Sequence, residues 1–425
     1  MPAYFWYEMN HAALAPLRAV AGATKLAYKN PLNPFSDTPI GRNIAAGAEL
    51  FERATRRYGK PEFGLAETEI AGRTVAITER AALKRPFCTL LHFEKADGAG
   101  ADQPKLLIVA PLSGHYATLL RGTVEALLPD NDVYITDWTD ARQVPLSEGT
   151  FGFDDYVDDV RAFLGHLRET DRQGRRAHTV AVCQPSVPVM VAAAIMAEDD
   201  DPDRPASMTL MGGPIDTRIN PTAVNRLAEE KGTDWFRRNV VMTVPFPHPG
   251  AMRRVYPGFL QLTGFMSMNL DRHVTAHKDL FKHLVEGDGD SAEKHRDFYD
   301  EYLAVMDLDA QFYLETVEAV FVAHSLPKGT MTYRGRPVRP EAITDIALLT
   351  VEGERDDISG VGQTEAAHRL VPHLPKAMQA HHMQERVGHY GVFNGSRFRA
   401  HIAPRISGFI AEHDGQAAPL AVAAE

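Results

Sequence analysis

Cysteine is scarce in this chain of 425 residues, which holds only Cys88 and Cys183. Two thiols cannot build a disulfide framework, so the chain reads as one that works in a reducing compartment. Basic charge is also in deficit, with 45 Lys and Arg against 56 Asp and Glu and a net charge of −11. That balance excludes the basic footprint of a nucleic-acid binder and gives no long-range attraction to anionic lipid. Long apolar runs are missing, and nothing approaches the ~18 consecutive apolar residues of a membrane span. The opening MPAYFWYEMNHAAL carries Glu8 and no basic segment, so no secretory signal is expected. No internal repeat or heptad pattern is visible. What is present is ordinary globular composition, 44% hydrophobic and 24% charged, with material for a sizeable core. At about 150 residues per domain the length allows up to three units, or one large fold with an insertion. A cytosolic enzyme is the expectation.

The hydrophobic pattern changes along the chain. Residues 8–60 read as helical, interrupted by the proline-bearing loop Asn30–Arg42. Alternating segments at Glu67–Ile70, Val75–Arg80 and Phe87–Phe93, with a turn at Gly72, predict antiparallel strands. From Lys105 short continuous apolar runs alternate with helical stretches, as in buried parallel strands of an α/β fold. The runs are Leu106–Ala110, Val133–Thr136, Thr179–Val182, Met208–Met211, Ile346–Val351 and, more weakly, Ala380–Gln384. Helices are readable at Phe153–Glu169, whose first turns are acidic, and at Val187–Glu198, which is apolar nearly all round. No clear strand lies between Gly213 and Ile346, far more chain than a crossover needs. Helical patterns at Thr222–Lys231 and Ser291–Ala323 and many aromatics and methionines fill that gap. The fold class expected is α/β, a mostly parallel sheet flanked by helices with a large, mainly helical inserted cap. Its parts are a helical extension over 1–64, a core over 65–213 and 341–412, the cap over 214–340, and a disordered tail over 413–425.

Cys183 directly follows one apolar run and precedes the apolar helix, in AVCQP. A nucleophile at a strand–turn–helix junction is the geometry of the nucleophile elbow, which needs small residues two positions to either side. Ala181 and Pro185 hold those places instead of the usual glycines. The competing role is a buried core cysteine, to which Cys88 in FCTLLHF is assigned. The chain order decides between them. In α/β-hydrolases the nucleophile is followed by an acid and then a histidine, each just past a strand. Asp356 and Asp357 follow Ile346–Val351, and His389, between Gly388 and Gly391, follows the last weak strand. Glycines there suggest backbone freedom around a catalytic imidazole. His389 would take the thiol proton, and the carboxylate would fix its tautomer. The thiolate would then form a thioester acyl-enzyme. Two backbone donors should stabilise the oxyanion: the N–H of Gln184, and that of Leu112 or Ser113 in PLSGHY.

Other clusters carry less. His273 and His277 share a helix face but lack the glutamate of a zinc-protease helix. His381 and His382 would point to opposite sides of a strand, and Asp199–Asp203 reads as a solvated loop. Neither histidine pair supports a metal. Met252, Met266, Met268, Phe259 and Phe265 read as cap packing, with an apolar substrate groove as the second reading.

The segments AALAPLR, NPLNPFSDTP, APLSGHYATLLR, DWTDAR, VCQPSVPV, GERDDISG and VGHYGVFNG resemble the intracellular polyhydroxyalkanoate (polyhydroxybutyrate) depolymerases, from about Tyr7 to Glu412. The resemblance implies an α/β-hydrolase fold with Cys183 as nucleophile, Asp356 as acid and His389 as base. It also implies amorphous polyester of cytoplasmic storage granules as the substrate. Asp356 is preferred over Asp357 because the related polymer synthases carry a similar G-x-x-D-x-I segment. Those synthases are the rival reading, yet they typically show G-x-C-x-G, which Ala181 and Pro185 depart from. A granule-associated binding protein is the non-enzymatic alternative. No cofactor is implied, although coenzyme A could replace water as acyl acceptor, and self-association stays open.

Overall fold

The computed structural model describes residues 2–415 apart from 269 and 287, and the side chains of 2, 265, 268, 270, 272, 289 and 294 also lie outside the description. Three helices come first: α1 (Pro2–Ala13), α2 (Ala15–Lys29) and α3 (Pro39–Thr55). The loop before α3 is shorter than its prolines suggest. Thr38 caps the helix by accepting from the Gly41 N–H at 3.1 Å, so Pro39–Arg42 are helical, with Pro39 at the first position, where a missing N–H costs little.

The central sheet follows. Its strands are β1 (Glu67–Ile70), β2 (Arg73–Lys84), β3 (Cys88–Lys95), β4 (Lys105–Val109), β5 (Asp132–Trp138), β6 (His178–Val182), β7 (Ser207–Met211), β8 (Ala347–Gly353) and β9 (Gln379–Gln384). In space they run β1-β2-β3-β5-β4-β6-β7-β8-β9. The β1–β3 edge is antiparallel and meets β5 antiparallel, and from β5 onward every pairing is parallel. An antiparallel edge leading into a parallel sheet in which β4 and β5 exchange places is the α/β-hydrolase order. The parallel strands are apolar because both faces are covered: Leu106–Val109 and Val180–Val182 are fully buried. Helices α4 (Arg121–Leu127), α5 (Phe153–Glu169) and α6 (Ser186–Glu198) connect them. The acidic start of α5 works as expected, with Asp155 accepting from the Gly152 N–H at 2.7 Å. Cys88 is fully buried in β3 opposite Trp138, and burial pushes its thiol well up.

Between β7 and β8 lies the cap, with α7 (Ala223–Lys231), α8 (Thr233–Asn239), α9 (Gly258–Met268), α10 (Leu270–Glu286), α11 (Gly289–Tyr302) and α12 (Ala310–Thr316). The single helical pattern read over Ser291–Ala323 is broken. Leu308–Asp309 pairs with Val255–Tyr256 in a three-stranded sheet, and Asp309 then caps α12 by accepting from Gln311 N–H at 2.9 Å. The chain ends on α13 (Ala403–His413). Asp414 pairs with Arg175 at 2.8 Å, so the ordered chain passes the expected limit at 412; residues 416–425, where a disordered tail was expected, lie outside the described residues. The acidic run Asp199–Asp203 is tied to arginines rather than merely solvated, with Asp199 on Arg336 at 2.6 Å and Asp203 on Arg168 at 3.0 Å.

Two buried polar clusters fasten the cap to the sheet. Arg253, 2% exposed, donates to the carbonyls of Val144 (3.0 Å), Pro145 (2.7 Å) and Gly149 (2.8 Å) and to Asp309 (2.9 Å). One guanidinium thus ties the loop after β5 to the cap through four hydrogen bonds, which offset the cost of burying its charge. In the second cluster Tyr4 donates to Asp307 at 2.6 Å, and Arg142 pairs with Asp140 at 2.8 Å. Two buried carboxyls here share one guanidinium. Burial, with Asp307 beside it, pushes Asp140 up to about 7.

Truncating Arg253 leaves Asp309 and three carbonyls buried without their partner. Arg253→Ala is expected to lower stability by about 3–5 kcal/mol in urea unfolding, with Arg253→Lys recovering only part. The Asp140 cluster has a pH signature. A carboxyl raised in the folded state binds its proton up to about 7, whereas the unfolded chain releases it near about 4. The folded protein therefore holds more protons across that window, and this contribution to stability falls as pH rises through it. Asp140→Asn should remove the slope, so its melting temperature should gain on wild type from pH 4 to 7; a constant difference would refute the assignment.

Candidate active site

Strand β6 ends at Val182, and the backbone turns so sharply at Cys183 that its φ is +67°. A non-glycine residue is strained there and persists only where surrounding structure over-determines it. The Cys183 N–H donates to Met211 O at 2.7 Å, and the Cys183 carbonyl accepts from Ser186 N–H at 3.0 Å as α6 begins. Pro185 suits the turn, with φ −58° just ahead of the helix and its carbonyl accepting from Val189 N–H at 2.9 Å. Gly213, at the end of β7, closes the packing, since a Cβ there would lie 2.1 Å from Ser186 Oγ. Cys183 remains partly exposed.

The other two residues arrive from neighbouring strand ends. Asp356 follows β8 and His389 follows β9, and Asp356 Oδ2 lies 2.8 Å from His389 Nδ1. The second oxygen of Asp356 accepts the N–H groups of Ile358 (2.9 Å) and Ser359 (2.8 Å), which fixes the carboxylate. Its side chain is 1% exposed, whereas Asp357 points outward. Of the two carboxylates, Asp356 is the one that meets His389. The His389 ring also interacts electrostatically with the Cys183 thiol. Burial by itself disfavours charge on the ring, but the sulfur of Cys183 and the Asp356 carboxylate outweigh it and hold His389 well above the ordinary imidazole range. The arrangement can pass a proton between sulfur and imidazole while the carboxylate holds the ring.

The glycines around His389 act differently from the expectation. Gly388 has φ −87°, open to any residue. Gly391 is a packing requirement, because a Cβ there would lie 2.7 Å from Val387 Cβ. The glycine that needs its conformation is Gly212, with φ +54° and a virtual Cβ 3.3 Å from both Asp356 Oδ2 and His389 Cε1.

Leu112 comes to the Cys183 turn, its N–H donating to Gln184 Oε1 at 3.4 Å. Gln184 is nearly buried, and its Nε2 has no hydrogen-bond partner among the described residues. Ser113 is half-buried, and no hydrogen bond among the described residues joins it to that turn. The loop carrying both is held by the cap: Gly114 O accepts from Met306 N–H at 2.8 Å, and Gly114, at φ +114°, has Gln261 Oε1 2.3 Å from where a Cβ would lie. Sequence reasoning missed the aromatic wall. Tyr390 and Phe393 flank His389, with ring centroids at 6.2 and 5.8 Å, and Tyr302 of the cap reaches Tyr390 at 6.3 Å. His115 donates from Nε2 to Tyr302 O at 3.1 Å, its pKa lowered to about 4 by burial. Its position in PLSGHY, beside the expected oxyanion donors, was the available signal.

The remaining candidates lie elsewhere. His273 is bonded to the Tyr299 hydroxyl at 2.9 Å and His277 to the His273 carbonyl at 2.8 Å. His381 bonds Thr350 and His382 bonds Gln384. Glu352, Glu365 and His381 approach one another, but Glu352 already accepts backbone N–H groups from Gly362, Thr364 and Glu365. That carboxylate clamps a loop. Phe259 stacks on Tyr7 at 4.0 Å, Met252 is exposed, and the side chains of Phe265 and Met268 lie outside the described residues.

Residues 212–414 match the family model described as PHB de-polymerase C-terminus, a span holding Asp356 and His389. No curated protein matches the chain. Among solved structures it is similar to a soluble variant of monoglyceride lipase from Saccharomyces cerevisiae, at 11% identity and a TM-score of 0.49, over 85% of this chain and 99% of that one. A thermophilic esterase from Thermogutta terrifontis gives 14% and 0.40, over 82% and 97%. A monoacylglycerol lipase from Paleococcus ferrophilus gives 13% and 0.41, over 73% and 96%. The fold assignment rests on the strand order above, not on these overlaps. With the family match, it supports a carboxylic ester hydrolase.

Gly212→Val puts two methyl groups against the Asp356–His389 pair. A displacement of that size is expected to lower turnover of a soluble ester about 10²-fold, with the far-ultraviolet circular dichroism unchanged.

Proposed function

From the match of residues 212–414 to the model described as PHB de-polymerase C-terminus, we propose that the chain hydrolyses the ester bonds of polyhydroxybutyrate through Cys183, His389 and Asp356, releasing 3-hydroxy acids or oligomers. The observation that carries the reading is His389, which meets Asp356 through Nδ1 at 2.8 Å and whose ring interacts electrostatically with Cys183. The sulfur attacks the ester carbonyl, and the oxyanion is held by the backbone N–H groups of Gln184 and Leu112, with Ser113 as the alternative donor. Collapse breaks the C–O bond, and the departing alkoxide takes the proton held by His389. Water, deprotonated by His389, then attacks the thioester and returns the thiol. Asp356 keeps Nδ1 protonated throughout and stabilises the imidazolium.

The substrate belongs to cytoplasmic storage granules in this reading. No helix among the described residues is long and apolar enough to cross a membrane, and attachment to a granule would rest on apolar contact. Coenzyme A as acyl acceptor would give a hydroxyacyl thioester in place of free acid, and release with and without it distinguishes the two. The family description favours depolymerisation over polymer synthesis.

Cys183→Ala should abolish release of 3-hydroxybutyrate from amorphous polymer, and retained hydrolysis would overturn the mechanism. Asp356→Asn is expected to cost about 10³–10⁴-fold in turnover by analogy with serine-protease triads, while Asp357→Asn stays within a few-fold. Equal losses would reverse the assignment of the acid.

A further inference from the structure

We propose that helices α1–α3 form a docking face for the surface of an uncharged aliphatic polyester and hold the enzyme on its insoluble substrate. The proposal rests on the polymer-hydrolase reading above and adds the surface that reading leaves unassigned.

Eleven of the seventeen large apolar side chains exposed among the described residues fall within residues 5–51. The helices there are inside out. On α3, Ile40 (71% exposed), Ile44 and Phe51 line one outward stripe at helical spacing. Two charged residues of α3 turn inward: Glu49 is buried against Lys29 (2.7 Å) and Arg296 (2.6 Å), and Arg53 against Asp300 (2.6 Å). On α2, Leu17 and Val20 face solvent while Arg18 bonds Thr55 O at 3.0 Å and Lys25 lies 3.7 Å from Glu52. The connecting loop adds Leu32, 89% exposed. A surface helix ordinarily points its charges to water, and an apolar patch of this extent marks an interaction site.

Charge and continuity identify the occupant. Lys25, Lys29 and Arg53 are paired with carboxylates and Arg18 is held on the Thr55 carbonyl, leaving Arg42 at the surface, so the face presents few free charges to an anionic lipid. A polyester carries no charge and no hydrogen-bond donor along its chain, so apolar contact is the main attraction it offers beyond its ester carbonyls. The face also leads toward the chemistry. Beside Phe51, a groove of about 530 Å³ runs between α3 and α10, lined by Leu50, Met266, His273, Val274 and Phe281 among others. From His273 a succession of rings reaches Tyr302 (5.2 Å), Tyr390 (6.3 Å) and His389 (6.2 Å). A second copy of the chain has no need of a groove beside the elements that carry the site, whereas a polymer cut at Cys183 is usefully held there.

The test separates docking from catalysis. Full-length Cys183→Ala protein is co-sedimented with amorphous poly(3-hydroxybutyrate) particles, with and without Leu17→Glu, Val20→Glu and Ile44→Glu together. The triple change should lower particle binding at least about tenfold, as loss of several apolar contacts implies. In the Cys183-intact protein the same change should leave hydrolysis of soluble 3-hydroxybutyrate oligomers within about twofold, a ratio under 0.5 kcal/mol. Phe246→Glu, an exposed apolar site on the cap, should leave binding unaltered, and alanine at the three positions should give an intermediate loss without new charge. Undiminished particle binding by the triple variant would overturn the proposal. So would a change of oligomeric state in light scattering with binding intact, or equal binding to phosphatidylglycerol vesicles. Failure of the catalytic reading would show separately, as soluble-oligomer hydrolysis that survives Cys183→Ala.

Discussion

The turn at Cys183 is the constraint on which the site depends. A side chain held at φ +67° needs neighbours that leave it no other conformation. Those neighbours are the Met211 carbonyl that receives its N–H, the start of α6 that takes its carbonyl, and Gly213, which has no room for a Cβ beside Ser186. The same closeness of β6 and β7 sets Gly212 under the Asp356–His389 pair. One tight packing of strand ends therefore positions the sulfur, the imidazole and the carboxylate together.

The cap is attached by buried charge rather than by apolar area alone. Arg253 and the Tyr4–Asp307–Asp140–Arg142 cluster join it to the loop after β5 and to α1. Buried ions are weak sources of net stability, but they tolerate only one geometry, because any shift strands an unpaired charge. That geometry brings Met306 and Gln261 onto the loop carrying Leu112, and Tyr302 onto the ring wall around His389. Cap register and site shape are thus linked through a few side chains far apart in sequence.

Much of the fold was legible. The parallel strands declared themselves as short apolar runs because both their faces are covered, and α5 and α6 were bounded to within a residue or so by acidic caps and apolar composition. The cap was harder. The pattern over Ser291–Ala323 is helical throughout, and only the pairing of Leu308–Asp309 with a distant strand interrupts it. The role of Pro39 also depended on a single hydrogen bond from Gly41 to Thr38. At the site, Cys183, His389 and the Asp356/Asp357 pair were read from chain order. Gly391 was assigned a backbone reason when its contact with Val387 is the cause, because a sequence shows that a glycine is present but not whether φ or space requires it.

The sequence by itself determined the class of fold and the chain order in which Cys183, Asp356 and His389 follow strand ends, since these follow from local pattern and residue chemistry. Tertiary structure alone set Asp356 rather than Asp357 against His389, brought Leu112 to Gln184, and turned the apolar faces of α2 and α3 outward. Each of those outcomes depends on which remote group a side chain meets. A helix that hides Glu49 and Arg53 can do so only because Arg296 and Asp300, some 250 residues away, are there to pair with them. Periodicity finds an apolar stripe; the partners of the opposite stripe decide which one faces water.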